Sequence, residues 1–300
     1  MKIRKVYLLK DEAFTGAQTK IVDINIIDPI ASIDILVEMT NGSAMTEASV
    51  VKPHDEFTKI ELVDGSDVLE SASMEEWQGL NFVEMGKPPF MVLTLEDNGV
   101  QQEMCHIHFG LGKEDPEHYF NPKSFRNPQL KITNTFTTAA ATSWAASGHK
   151  ITVVANVIEE GAVACKGFLS TKEMYAYTAV DAAVETIDMP RDYPYRLILM
   201  QAEKAAKSPD ESLEKIKLSC DADKYVPVDM DIDHLIMDNI SQFGIISIPY
   251  KKRMKAATDI LYSDLWYRAW ATVGGGTTLY AVHLVSVTAE QLVIESLGQT

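Results

Sequence analysis

Residues 57–82, FTKIELVDGSDVLESASMEEWQGLNF, place a strand, a tight reversal, a second strand and a capped helix in one short run. Phe57, Ile60 and Leu62 are apolar with polar residues between them, Asp64-Gly65 is a hairpin turn, and Val68-Leu69 resumes the apolar pattern. Ser73 with Glu76 three positions on is a capping box, in which the serine accepts from an early helical amide and the glutamate reaches back. A short helix carrying Trp77 and Leu80 is predicted to follow.

The same order recurs in the second half, in IKLSCDADKYVPVDMDIDHLIMDNI. Without a gap, Ile60 and Leu62 align with Ile216 and Leu218, Asp67 with Asp223, Met74 with Met230, and the cap Ser73 with Asp229. A second capped helix is therefore expected near Asp229 to Ile240. Matching positions within each half point to internal duplication, and 300 residues exceed what one core usually organises, so two domains are expected.

The composition, 46% apolar and 23% charged, is that of a globular chain, and no signal peptide or apolar run of membrane-spanning length is read from it. A net charge of −16 opposes binding to a phosphate backbone, so sequence-specific nucleic-acid recognition is not expected. Basic residues gather at Lys2, Arg4 and Lys5 and again at Lys251, Lys252, Arg253 and Lys255, where an anionic surface is within reach. Cys105, Cys165 and Cys220 are odd in number and lack C-x-x-C spacing, which predicts buried free thiols.

Along the chain, Lys20 to Asn25 and Ser32 to Met39 alternate as strands, and MVLTLE with EMCHIHF flanks a second turn at Asn98-Gly99. GKEDPEHYFNPKSFRNPQ is predicted as a long ordered loop, LKITNTF as a strand, Thr137 to Gly148 as a loop, and Lys150 to Val157 as the last strand of the first half. Strands are expected in the second half near Phe168 to Tyr177, Arg196 to Met200, Glu214 to Leu218, Trp266 to Val273, Thr278 to Val287 and Leu292 to Glu295, with EKAAKSPDES as an exposed loop. Many short strands and close turn signals predict an all-β sandwich in each half.

His106 and His108 lie two apart on a predicted strand, so both imidazoles share a face and are candidate metal ligands. Gly99, His106, His108 and Glu114 resemble the order of the cupin metal-binding motif, although each spacing is one residue longer and no P-x-G-x-x-H element follows. The bland alternative is a histidine pair on a half-exposed strand. Asp229-x-Asp231-x-Asp233 resembles the start of a calcium loop, but His234 stands at the required glycine and Ile240 at the bidentate glutamate. Gly274-Gly275-Gly276 lacks the lysine of a phosphate loop and is read as a turn. No catalytic residue and no cofactor is assigned.

The run IELVDGSDVLESASMEEWQGLNF, and FNPKSFRNPQLKITNTF after it, resemble the major capsid proteins of tailless icosahedral viruses, the double jelly-roll lineage of adenovirus hexon and the bacteriophages with an internal membrane. The resemblance implies two consecutive eight-stranded jelly-roll β-sandwiches with short helices in the connections: an N-terminal arm at 1–14, a first jelly roll at 15–160, and a second with the C-terminal tail at 161–300. It implies a homotrimer whose six sandwiches give a pseudo-hexagonal capsomer, tiling a virion shell made in the host cytoplasm. Its expected partners are further copies, neighbouring capsomers, vertex and minor capsid proteins, and an internal membrane touched by Lys2, Arg4 and Lys5. Two other functions stay open at this point: a bicupin-like metal-dependent enzyme using His106, His108 and Glu114, and a sugar-binding double sandwich.

Overall fold

The computed structural model describes residues 1–45, 51–86, 89–138, 142–176, 183–202, 213–220, 222–243, 246–252, 261–267, 278–287 and 291–296. They belong to two compact units, Met1–Glu173 with Pro249–Ser263 and Met174–Ile248 with Asp264–Thr300.

The first unit runs β1 (Lys2–Phe14), β2 (Gln18–Asp23), β3 (Ile30–Thr40), α1 (Pro53–Glu56), β4 (Lys59–Asp64), β5 (Asp67–Ala72), α2 (Met74–Met85), β6 (Met91–Val92), β7 (Val100–His108), β8 (Pro128–Asn134) and β9 (His149–Glu160). One sheet has the order β1-β9-β3-β7-β6 and the other β2-β8-β4-β5, both antiparallel. Every connection except β4–β5 and β6–β7 crosses from one sheet to the other, which is the winding of a jelly roll. Strand alternation puts Ile33, Ile35, Val37, Cys105, Ile107, Val153 and Val157 on the inner face of the first sheet. Ile60, Leu62, Leu130 and Ile132 oppose them from the second, and all of these are almost completely shielded from solvent.

The stretch that decided the fold behaves as its residues dictate. Gly65 takes the left-handed conformation at the β4–β5 reversal (φ 65°), and Ser73 Oγ accepts from Glu76 N (3.1 Å) while Glu76 Oε2 accepts from Ser73 N (2.6 Å). Gly86, also left-handed at φ 65°, ends α2 and donates its N–H to Phe82 O. Trp77 is buried by this helix.

Residues 1–14, expected as an N-terminal arm, carry Ile3, Val6, Leu8 and Leu9, and Lys2–Phe14 docks as β1 against β9 from Lys2↔Glu160 to Phe14↔His149. Three register shifts and several charged side chains along β1 blunt this outer edge against unwanted strand pairing. MVLTLE shrinks to the two-residue β6, because the buried Asn41 amide binds Thr94 O (2.7 Å) and Glu96 O (3.1 Å) and diverts carbonyls from the ladder. The first compact unit continues past residue 160 to Glu173. Residues 161–173 return across it as a strap, with Val163 N bonding Pro116 O, Leu169 N bonding Phe109 O, and Ser71 N bonding Thr171 O. Phe168, expected to start a strand, instead meets Phe109, Phe120 and Phe125 edge-on.

The second unit contains β10 (Val184–Asp188), β11 (Tyr195–Ala202), β12 (Leu213–Cys220), β13 (Tyr225–Asp231), α3 (Ile232–Phe243), the beginning of β14 (Ile246–Lys252) and the end of β15 (Leu261–Tyr267), whose residues 249–252 and 261–263 are grouped with the first unit, and then β16 (Thr278–Val287) and β17 (Gln291–Ser296). They pair as a four-stranded sheet β10-β17-β12-β13 and the pairs β11-β16 and β14-β15. The strand–turn–strand–helix order of β4-β5-α2 recurs as β12-β13-α3, and Ile216 and Leu218 are fully buried like their counterparts Ile60 and Leu62. The second helix starts at Ile232 rather than at the aligned cap: Asp229 remains in β13, opposite Lys217, and its carboxylate binds Lys215 Nζ at 2.7 Å. The insertion 203–212, expected to be an exposed loop, and Gly274-Gly275-Gly276, expected to be a turn, lie outside the described residues.

Candidate functional site

Strand β7 carries buried ionisable groups on both of its faces. Alternation turns Gln101, Glu103, Cys105 and Ile107 inward, and Gln102, Met104, His106 and His108 outward.

On the outer face His106 Nδ1 donates to Asp34 Oδ1 at 2.7 Å, across the β3–β7 register pair. The Asn81 side chain of α2 brackets the His106 backbone, donating to its carbonyl (2.6 Å) and accepting its amide (2.7 Å) where no strand pairs. Burial raises the Asp34 pKa, but the bonds from His106 and Asn156 and the charges of His106 and Lys113 outweigh it and hold the carboxyl at about 2. His108 takes a different partner: its Nδ1 lies 3.3 Å from Glu84 Oε2, and its Nε2 is buried without a hydrogen-bond partner among the described residues. Glu114 is exposed in the turn beyond and joins neither. His106, His108 and Glu114 therefore do not converge, and no group of three or more metal-ligating side chains occurs among the described residues. Each imidazole spends a nitrogen on its own carboxylate, from positions far away in sequence.

Because the folded-state Asp34 pKa is depressed, its stabilisation is present above the ordinary 3.8 and is lost as pH falls through about 2. Acid unfolding of Asp34→Asn is expected to lose that part of the pH dependence, which circular dichroism across pH 5 to about 1.5 reads directly.

On the inner face Glu103 is completely buried against His54 of α1, with His54 Nδ1 2.9 Å and 3.0 Å from its two oxygens, and Gln78 Nε2 of α2 donating at 3.2 Å. Burial opposes charge on His54, yet Glu103 in contact and Asp55 nearby outweigh it and hold the imidazole pKa above 6.5. Gln101 Nε2 donates to Asn41 Oδ1 (2.7 Å) and Val51 O (2.9 Å), continuing this polar seam. Glu70 is also fully buried; burial pushes its pKa well up, although Oε2 accepts the Thr171 amide of the strap at 2.5 Å. Sequence alternation alone carried no sign of these groups, since polar residues between apolar ones read as solvent-facing.

Two of the basic residues at the N-terminus are held by carboxylates. Lys2 Nζ lies 3.6 Å from Glu159 and 3.5 Å from Glu160, and Arg4 reaches Asp28 (2.9 Å) and Glu159 (3.2 Å). Lys5 is exposed. The cysteines are free, but Cys165 is exposed on the strap, against expectation, while Cys105 and Cys220 are buried. No helix among the described residues is long and apolar enough to cross a membrane.

No protein-family model matches the chain, and no curated protein matches it by sequence. Its fold is nevertheless similar to solved structures over nearly its whole length. Against the STIV major capsid protein the TM-score is 0.56 at 10% identity, covering 99% of this chain and 96% of that one. Against the PBCV-1 virus capsid it is 0.55 at 10% identity, covering 98% and 84%. Against the major capsid protein P2 of bacteriophage PM2 it is 0.50 at 12% identity, covering 99% and 97%. The fold is the double jelly roll, as the residue 57–82 stretch and its repeat implied.

Proposed function

We propose that this chain is a viral major capsid protein, a structural subunit that builds the shell as a homotrimer. The single observation that carries the proposal is coverage: both sandwiches together match STIV and PM2 major capsid proteins over at least 96% of their length. Duplication gives a threefold object six similar corners, which suits tiling of a curved surface by pseudo-hexagonal units. The buried ionisable groups of β7 fit this role as structural members, since each imidazole is committed to a carboxylate of its own. Neighbouring capsomers, vertex proteins and an internal membrane complete the proposed surroundings, with the N-terminal end of β1, where Lys2, Arg4 and Lys5 lie, as the part nearest that membrane. Deleting Met1 to Lys5 without changing vesicle association would remove the membrane element alone.

Light scattering of the purified full chain tests the central claim. Three copies of a 33.3 kDa chain give about 100 kDa, and this mass is expected at micromolar concentration. A stable monomer overturns the proposal.

A further inference from the structure

The two outer faces of the first sandwich differ in chemistry. The four-stranded sheet presents Thr19, Asp23, Lys131, Gln129 and Glu61, a solvated polar ladder whose exposed apolar residues, Ile21 on β2 and Val68 on β5, stand singly on opposite edge strands. The five-stranded sheet presents an apolar arc instead. Val92 lies opposite Gln102, and Phe90, whose carbonyl accepts from Met104 N, extends that edge; Phe90, Val92 and Val100 are 49%, 37% and 46% exposed. Met104 and Leu36, register partners on the same outer face, continue the arc inward and are half-buried. Contiguous exposed apolar side chains on a sheet face mark a contact surface, whereas single ones do not.

Charge identifies what covers it. Two copies of a chain carrying −16 repel unless the touching surface is neutral or basic where the partner is acidic. Beside the arc, Glu38 accepts from Gln102 and stands opposite Lys150 in the β3–β9 register, and farther along the same face Asp34 is matched by His106 and Lys113, so the acids of this face stand with basic or neutral partners. Closing a threefold ring uses a head-to-tail contact between two different surfaces, so this face needs a complement rather than a copy of itself. We infer that the outer face of the β1-β9-β3-β7-β6 sheet, centred on Phe90, Val92 and Val100, is the surface on which the first unit receives a different surface of a second copy of this chain. This assignment rests on the shell-subunit proposal.

The test compares full-length variants. Val92→Asp and Val100→Asp each place a charge in a contact that excludes water, and are expected to weaken association by roughly a hundredfold or more, leaving monomer where the parent is trimer. Ile21→Asp on the opposite sheet is expected to leave the trimer intact, and circular dichroism should be unchanged in all three. A second measurement does not depend on how the charged variants fold: Val100→Cys in a Cys165→Ser background should resist maleimide in the assembled protein and react after dissociation. A parent protein that is monomeric overturns the shell proposal and this inference together. A trimeric parent whose Val92→Asp and Val100→Asp variants remain trimeric, or in which the thiol introduced by Val100→Cys reacts equally in both states, overturns this inference alone. Labelling blocked equally in trimer and monomer does the same, because the face is then covered from within the chain.

Discussion

Glu103→Ala is expected to destabilise the first unit by about 3–5 kcal/mol, because removing one partner leaves the other charge buried and uncompensated. Glu103 is fully enclosed, and its carboxylate binds both His54 of α1 and Gln78 of α2, so one side chain fastens two helices to β7. Glu103→Gln keeps the shape and a hydrogen-bonding group, and should cost less, about 1–3 kcal/mol. Chemical denaturation gives both values. The pH dependence supplies a further reading. Since the folded-state His54 pKa is raised, the stabilisation from its charged form is complete below the ordinary 6.5 and declines as pH rises through the raised value. Stability of the parent protein should therefore fall on the alkaline side of 6.5, and His54→Gln should flatten that limb; an unchanged slope would refute the assignment.

Phe120→Ala is the second large effect, about 3–5 kcal/mol by loss of a fully enclosed ring and the cavity that remains. Phe120 stacks on Phe125 at 4.8 Å and on Phe109 at 5.1 Å, and Phe168 of the strap meets it edge-on at 5.7 Å. Its backbone also exchanges two hydrogen bonds with Ile30 at the start of β3, 2.8 Å and 2.9 Å long. Phe168→Ala removes only a half-buried ring from the rim of this stack and should cost less, about 2 kcal/mol. Equal losses from the two changes would mean that the strap, not the loop preceding β8, is the principal support of the stack.

Local chemistry was the legible part of the sequence. The Asp64-Gly65 turn, the Ser73–Glu76 cap and the alternation in β8 depend on neighbours a few residues apart, and each appears as expected. The repeat was legible for the same reason, through Ile216 and Leu218 at the positions of Ile60 and Leu62. What failed depended on distant partners. The side chain of Asn41 shortened β6, and β9 pairs with Lys2–Phe14 from the far end of the first unit's sequence. The buried acids were hidden because an inward carboxylate has the same spacing as an outward one, and the imidazole that compensates Glu103 lies forty-nine positions away in α1. The histidine pair looked like ligands because strand alternation placed them together, whereas their true partners, Asp34 and Glu84, come from β3 and α2.

The strap also sets an order for synthesis. The first pair of strands able to close as the chain emerges is β4–β5, because β1, β2 and β3 pair only with β7, β8 and β9; Phe109, Phe120 and Phe125 wait longer still, for Phe168, and the edge of β5 waits for Thr171 and Glu173. A nascent chain arrested just after β9 would show every strand of the first unit's two sheets and still expose an aromatic cluster, so the interval before the strap emerges is when this half is most open to chaperone capture or misassembly.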